Sequence, residues 1–218
     1  MTSSSPSAQA KQLRLAVLLL AAGEGSRLGS HPKALLHRDG ETLLQRFSNS
    51  IQGFHPVEYL TVTGFHAQAI ASEVAHLNTR LEYPIRTVQN LSPERGQASS
   101  VRLGLESLKS EFDVLLVALS DQPEIGGAEI QDLLDEYVKR GASEEMILPI
   151  VNGKRGNPVL FSHKAISDVL KTPDMVCRAY MDAHPKQVRI MNTSKQAFVM
   201  DVDTPDDILR HKLSLQSF

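Results

Sequence analysis

Leu15-Ala16-Val17-Leu18-Leu19-Leu20-Ala21-Ala22 runs directly into Gly23-Glu24-Gly25-Ser26-Arg27-Leu28-Gly29-Ser30-His31-Pro32-Lys33. The apolar stretch carries no polar side chain. A strand of that kind is buried on both faces, as in a parallel sheet covered by helices. The stretch after it breaks into a glycine-rich turn with an Arg and a Lys. Glycines let backbone N–H groups approach an anion closely, and their concave array favours negative charge. A buried strand ending in such a turn is built to hold phosphate.

Working outward, a second run without polar alternation occupies residues 114–119. Further strand candidates are 14–20, 59–62, 85–88, 146–150, 158–161, 188–191 and 197–202. Amphipathic stretches lie between them: Leu43, Leu44, Phe47 and Ile51; Ile70, Val74 and Leu77; Val101, Leu105 and Leu108; Ile130, Leu133, Leu134, Tyr137 and Val138. Their spacing is helical, with charges opposite. Strand–helix alternation over most of the length predicts one α/β domain. Its single doubly wound, mostly parallel sheet has helices on both faces, a Rossmann-like arrangement.

Composition narrows the function classes. The chain has 218 residues, 41% of them apolar, and a net charge of -2. That is enough for one substantial core, and the charge points away from nucleic acid or a membrane surface as partner. A single cysteine, Cys177, allows no internal disulfide and suits a reducing compartment. Residues 13–22, with Lys11 and Arg14 as flanking charges, have one feature of a leader, an apolar run beside basic residues. The run is short, and its near copy at 114–119 lies mid-chain, so a cytoplasmic protein is expected. No segment approaches the ~20 apolar residues that span a bilayer. Residues 1–12, rich in Ser, Ala and Gln, are expected to be a disordered tail, and 13–218 one folded domain.

In doubly wound folds ligands sit outside the carboxyl ends of the strands. The first strand ends in the glycine loop, the fourth in Ser120-Asp121-Gln122-Pro123, and the last in Asp201-Val202-Asp203-Thr204-Pro205. One cationic loop and two acidic clusters thus share one expected sheet edge. The loop is not a P-loop, because Lys33 precedes Ala34 and no Ser or Thr follows it. It is one residue too long for a dinucleotide fingerprint, and the second strand ends in Thr63-Gly64 without the required acid. Kinase signatures are missing. A plain βα turn with two solvated cations is the remaining reading of the loop alone.

The spacing Leu20-Ala21-Ala22-Gly23-x-Gly25-Ser26-Arg27-Leu28-Gly29, then Pro32-Lys33, resembles the signature of nucleotidyltransferases. Gly96-Gln97-Ala98-Ser99-Ser100-Val101-Arg102-Leu103-Gly104-Leu105 resembles a second segment of the MobA/MocA-like NTP transferases, in their molybdenum cofactor cytidylyltransferase branch. Arg155-Gly156-Asn157-Pro158-Val159-Leu160-Phe161 and Asp201-Val202-Asp203-Thr204-Pro205-Asp206-Asp207 resemble a third and a fourth. The order holds from about residue 14 to 210. Three positions depart from the pattern: Asn157 replaces His, Met175-Val176-Cys177-Arg178 replaces Gly-Ala-Arg, and Leu28 replaces Met. The first two fall in the acceptor half.

The resemblance implies transfer of NMP, CMP from CTP, to a phosphorylated acceptor such as molybdopterin, with release of pyrophosphate. A molybdoenzyme is the implied recipient of the product. Ala22 goes with the cytidylyl branch. An acceptor phosphate is already anionic, so the obstacle is electrostatic, and catalysis rests on positioning and on cations. Arg27 grips phosphate as a fork and Lys33 acts as a point charge. With Asp121 they form the expected catalytic set. Ala21, Ala22, Gly23, Gly25, Ser26, Arg27, Lys33 and Ser99 are expected at the nucleotide, and Ser100, Arg155 and Asn157 at the acceptor. Mg²⁺ (or Mn²⁺) takes oxygen ligands, expected from Asp121 and Asp203. Asp201, two residues from Asp203 on an expected strand and so on the same side, is an alternative ligand. Thr204-Pro205-Asp206-Asp207 reads as a helix cap. Cys177 reads as a packed side chain, and the histidines show no metal-ligand spacing. Other readings are a sugar- or polyol-phosphate nucleotidyltransferase, and a non-catalytic nucleotide- or cofactor-binding maturation protein.

Overall fold

The computed structural model describes residues 13–215. The expected tail at 1–12 lies outside the described residues, as do the last three residues of the expected domain. The chain order is β1 (Leu15–Ala21), β2 (His37–Arg38), β3 (Glu41–Thr42), α1 (Leu43–Gln52), β4 (Glu58–Thr63), α2 (Ala67–Leu77), β5 (Ile85–Gln89), α3 (Gln97–Ser107) and β6 (Val114–Leu119). It continues with α4 (Gly127–Val138), β7 (Met146–Val151), β8 (Lys154–Arg155), β9 (Val159–Ser162), α5 (His163–Lys171), α6 (Cys177–Ala183), β10 (Val188–Asn192) and α7 (Pro205–Arg210).

The main sheet runs β10-β7-β9-β6-β1-β4-β5, with β8 on β7. The pairs β1–β4, β1–β6, β4–β5 and β7–β10 are parallel, while β9 runs antiparallel to β6 and β7. The mostly parallel, doubly wound expectation is met. From β1 the chain winds outward to β5, then returns across β1 to β6. The winding therefore reverses between β1 and β6, and their carboxyl ends flank the crevice where such folds take ligands.

Strand periodicity divides the core. Along β1, Leu15, Val17, Leu19 and Ala21 join the cluster under α1, α2 and α4. Ala16, Leu18 and Leu20 join the cluster under α3, α5 and α6. Successive side chains alternate between faces, so a strand apolar throughout feeds both layers. Helix α3 lies very close to the sheet at Gly104, where a Cβ would come within 2.5 Å of Leu18 Cδ1 and 2.9 Å of Val62 Cγ2. Caps define several helix starts: Thr42 accepts from Gln45 N, Ser162 from Ala165 N and Thr204 from Asp207 N.

One expected strand is not formed. Residues 197–202 hold a short 3-10 turn, Gln196–Val199, followed by irregular chain. Its carbonyls are satisfied by loops instead of a strand neighbour: Phe198 O accepts from Asn157 N at 2.8 Å and from Gln122 Nε2 at 3.2 Å. Leu108 ends α3 in an extended conformation and does not continue the helix. Val138, expected on the buried face of α4, is 69% exposed, because Ile130, Leu133 and Tyr137 already define that face.

Candidate active site

The glycine loop is shaped by its own backbone. Gly25 has φ 69°, and a Cβ there would strike the His31 carbonyl. Only glycine suits that position. The Gly25 carbonyl accepts from Leu28 N at 2.9 Å and Ser30 N at 3.0 Å, closing a 3-10 turn over Ser26–Leu28. A second turn, Lys33–Leu35, starts after Pro32 and aims Lys33 back toward the strand ends.

The acidic segment reaches this loop through packing. Leu28 of the loop and Val202, between the two aspartates, share a small buried cluster with Leu36, Leu43 and Leu213. Val202 N also donates to the Asp121 carbonyl at 3.0 Å. Asp207 Oδ2 accepts from Asp203 N at 3.1 Å, Thr204 N at 2.9 Å and Thr204 Oγ1 at 2.7 Å. These bonds, that of the Thr204 hydroxyl foremost, hold the Asp207 carboxyl below its ordinary pKa. The expected helix cap therefore also fixes the backbone of Asp203.

The result is a charge cluster. Lys33 Nζ donates to Asp121 Oδ2 at 3.0 Å and Asp203 Oδ1 at 2.5 Å. Burial works against the ammonium, but the Asp121 charge and the hydrogen bonds to both carboxylates outweigh it, and its pKa is raised. Arg27 Nη1 lies 3.4 Å from Asp203 Oδ2 and is otherwise largely exposed, free to turn toward an anion. Asp201 is not on a strand, so the same-side argument for it fails. Burial and the charges of Asp121 and Asp203 push its pKa up.

Asp121 Oδ1 is buried and has no hydrogen-bond partner. An orphaned carboxylate oxygen beside a second carboxylate fits a hard divalent ion. Among the described residues no group of three or more metal-holding side chains occurs. An ion held here by Asp121 and Asp203 would take its remaining oxygens from phosphate and water.

Ala21, Ala22, Gly23, Gly25, Ser26, Arg27, Lys33, Ser100, Asp121 and Asp203 line one cleft of about 460 Å³ at the ends of β1 and β6. Asp201 does not line it. Ser99 does not either: its hydroxyl donates to Gly96 O at 2.8 Å and accepts from Asn90 Nδ2 at 2.9 Å. Ser100 sits with the glycine loop and not with the other two expected acceptor residues. Arg155 and Asn157 line an adjoining cavity of about 290 Å³ with Cys177, Arg178 and Met181. Leu20, Gln97 and Leu119 line both. Cys177 is buried, and burial pushes its thiol up to about 12.

Other residues of the site escaped sequence reading. Asn152 and Gly153 have φ of 49° and 77°, an Asn-Gly hairpin turn that folds β8 onto β7 and delivers Arg155. Arg155 Nη1 then pairs with Asp182 Oδ1 at 2.6 Å. Arg102 ties α3 to the end of α5 and the approach to α6, donating to the carbonyls of Val169, Leu170, Thr172 and Met175. Phe65, Pro93 and Gln97 also line the larger cleft.

The family model of the MobA-like NTP transferase domain matches residues 17–188. A nicotine blue oxidoreductase from Paenarthrobacter nicotinovorans is 31% identical over 201 residues, covering 88% of this chain and 94% of that protein. The bifunctional protein GlmU of Rhodococcus opacus is 32% identical over 127 residues, 57% of this chain. The match spans only 25% of GlmU's length. Rv0371c from Mycobacterium tuberculosis superposes with a TM-score of 0.71 at 22% identity, covering 92% of this chain and 98% of that one. Its manganese complex gives 0.65 at 20% identity over the same shares. These two structures share the fold. No helix among the described residues is long and apolar enough to cross a membrane.

Proposed function

The chain belongs to the MobA-like NTP transferase family, and from that premise we propose that it transfers CMP from CTP to a phosphorylated acceptor of molybdopterin type. The observation that carries this reading is the convergence of Arg27, Lys33, Asp121 and Asp203 on one strand-end cleft. A phosphate oxygen of the acceptor attacks the α-phosphorus. The bond from that phosphorus to the bridging oxygen breaks, and the electron pair leaves with pyrophosphate. The nucleophile is already ionised, so no side chain needs to abstract a proton. Lys33, its pKa raised, stays protonated and neutralises charge on the triphosphate. Arg27 binds the departing phosphates as a fork.

Asp121 and Asp203 would hold Mg²⁺ or Mn²⁺, which when bound screens the phosphate oxygens and polarises the α-phosphorus. The adjoining cavity supports an acceptor with an apolar ring body. Val159, Phe161, Val176 and Met181 line it, with Arg155, Asn157 and Arg178 for anionic or polar groups. Asn157 in place of His keeps a neutral hydrogen-bonding side chain there. The setting is cytoplasmic, and a molybdoenzyme receives the product.

The near full-length identity to a nicotine blue oxidoreductase favours a second reading, oxidation–reduction of an organic substrate in the same cleft. One set of incubations separates the readings. The protein is mixed with each NTP labelled at the α-phosphate, Mg²⁺, and molybdopterin or a sugar phosphate, and in parallel with a reduced nicotinamide nucleotide and a reducible organic dye. Pyrophosphate release with CTP and the pterin supports the proposal, while release only with a sugar phosphate moves the acceptor class. If no NTP yields pyrophosphate and a reduced nicotinamide nucleotide is consumed instead, the oxidoreductase reading takes its place. Tight nucleotide binding with no turnover of either kind identifies a maturation protein.

A further inference from the structure

The cleft divides chemically. One end carries Arg27, Lys33, Asp121 and Asp203; the other, with Ala22, Phe65, Pro93, Gln97 and Ser100, carries no cation, and Glu24 of the glycine loop also lines the cleft. Phe65 stands out at that second end. It is a large apolar side chain, 45% exposed, and belongs to none of the buried clusters. Among the described residues it is the only aromatic of the exposed large apolar side chains, and the only one of them that lines the cleft.

The ring is nevertheless held on a rigid base. The preceding Gly64 is pressed between two segments of the site: a Cβ there would lie 2.5 Å from the Ala22 carbonyl and 2.9 Å from Pro93 Cβ. The following His66 donates from Nε2 to the Glu24 carbonyl of the glycine loop at 2.7 Å. Phe65 is thus fixed through both neighbours, Gly64 between the end of β1 and Pro93, and His66 on the glycine loop. Its exposure is built in and is not the exposure of a loose loop.

We infer that Phe65 is the stacking platform for the nucleobase. The inference rests on the nucleotide reading above. A triphosphate drawn to Arg27 and Lys33 directs its nucleoside toward the end without cations, where an aromatic face takes a base by stacking. The Gln97 amide remains for the polar edges of base or ribose, and the Ser100 hydroxyl, which accepts from Asn90 Nδ2 at 2.9 Å, keeps its proton to donate. Stacking is tolerant of base identity, so Phe65 selects nucleoside triphosphates over bare polyphosphate and leaves the choice among bases to the neighbouring wall.

Calorimetric titration tests this with the full chain, Phe65→Ala and Phe65→Tyr, each against CTP, GTP and inorganic tripolyphosphate in the presence of Mg²⁺. Phe65→Ala is expected to weaken both nucleotides about tenfold, leaving tripolyphosphate binding unchanged. Phe65→Tyr, which keeps the ring face, is expected to restore nucleotide affinity. Parallel loss of nucleotide and tripolyphosphate would mean that Phe65 merely shapes the cleft, and unchanged nucleotide affinity would mean that the ring serves another surface. Either result overturns the inference and leaves the nucleotidyltransferase reading intact. Failure of the unaltered chain to bind any nucleotide would overturn both.

Discussion

Replacing Lys33 by Met keeps the length and apolar stem of the side chain and removes its charge. In the wild-type chain the ammonium makes two charge-assisted hydrogen bonds, at 3.0 Å to Asp121 and 2.5 Å to Asp203. Such bonds contribute about 1.5–3 kcal/mol each where partners are well shielded. Asp121 is 21% exposed and keeps most of that, whereas Asp203 at 42% is discounted toward the ~0–1 kcal/mol of a surface pair. Burial of the ammonium itself opposes folding, and the Met side chain relieves that term, offsetting roughly 1 kcal/mol. Without divalent ions, Lys33→Met should therefore lose about 1–2 kcal/mol, a fall in Tm of about 3–6 °C for a domain of this size. Asp121 and Asp203 are left without the ammonium between them, so added Mn²⁺ without nucleotide should raise the Tm of the variant more than that of the wild type. Turnover should fall about a hundredfold to a thousandfold.

The pH dependence of that loss follows from the direction of the Lys33 shift. Its folded pKa is raised above the unfolded value, so its stabilisation is complete below the ordinary lysine range and is lost only as pH rises through the folded value. The gap between wild type and variant should be flat around neutrality and close in strong alkali. Differential scanning fluorimetry across pH, with and without Mn²⁺, measures all of this. A variant as stable as the wild type at neutral pH, with no extra response to Mn²⁺, would show that Lys33 does not neutralise the acidic pair.

Three further outcomes can be checked. Gly104→Ala gains ~1 kcal/mol of helix propensity but forces a methyl against Leu18 and Val62, an overpacking cost of about 1–3 kcal/mol; urea denaturation should show net destabilisation, and a gain would mean that α3 moves away freely. Glu58 is buried, which raises its pKa, but hydrogen bonds from Arg86 and from Ser110 N and Lys109 N outweigh burial and hold it low. Its stabilisation is present above the ordinary carboxylate range and is lost as pH falls through the lowered value. Glu58→Gln should thus cost ~2 kcal/mol at neutral pH and less in acid, and an acid-independent difference would contradict this. The Cys177 thiol, buried and pushed up to about 12, should resist a disulfide reagent in mildly alkaline native buffer and react once unfolded; rapid native labelling would place it in an open cavity.

Much of the fold was legible because its signals are local. Residues 15–21 and 114–119 are apolar at every position, which only a strand covered on both faces tolerates. Thr204 and Asp207 announce a capping box within four residues of chain. Residues 197–202 satisfy a strand pattern with their apolar residues, yet their backbone bonds go elsewhere, Phe198 O to Asn157 N and Gln122 Nε2, and Val202 N to Asp121 O. The Asn152-Gly153 turn was a readable hairpin signal, and it decides where Arg155 goes. Phe65 was unreadable, since a lone Phe after a strand looks like core until its exposure is known.

The chain's own order of residues determined the sheet, its two covering layers and the phosphate-ready glycine loop, because hydrophobic period and backbone freedom act over a few residues. Tertiary structure alone decided that Asp203, expected from sequence only at the same sheet edge, comes within hydrogen-bonding distance of Lys33, 170 positions away. The buried contact of Val202 with Leu28, Leu36, Leu43 and Leu213 brings them together, with the bond from Val202 N to Asp121 O. Packing between distant segments has no period to read, yet it sets which charges share a site, and electrostatic energy depends on that distance.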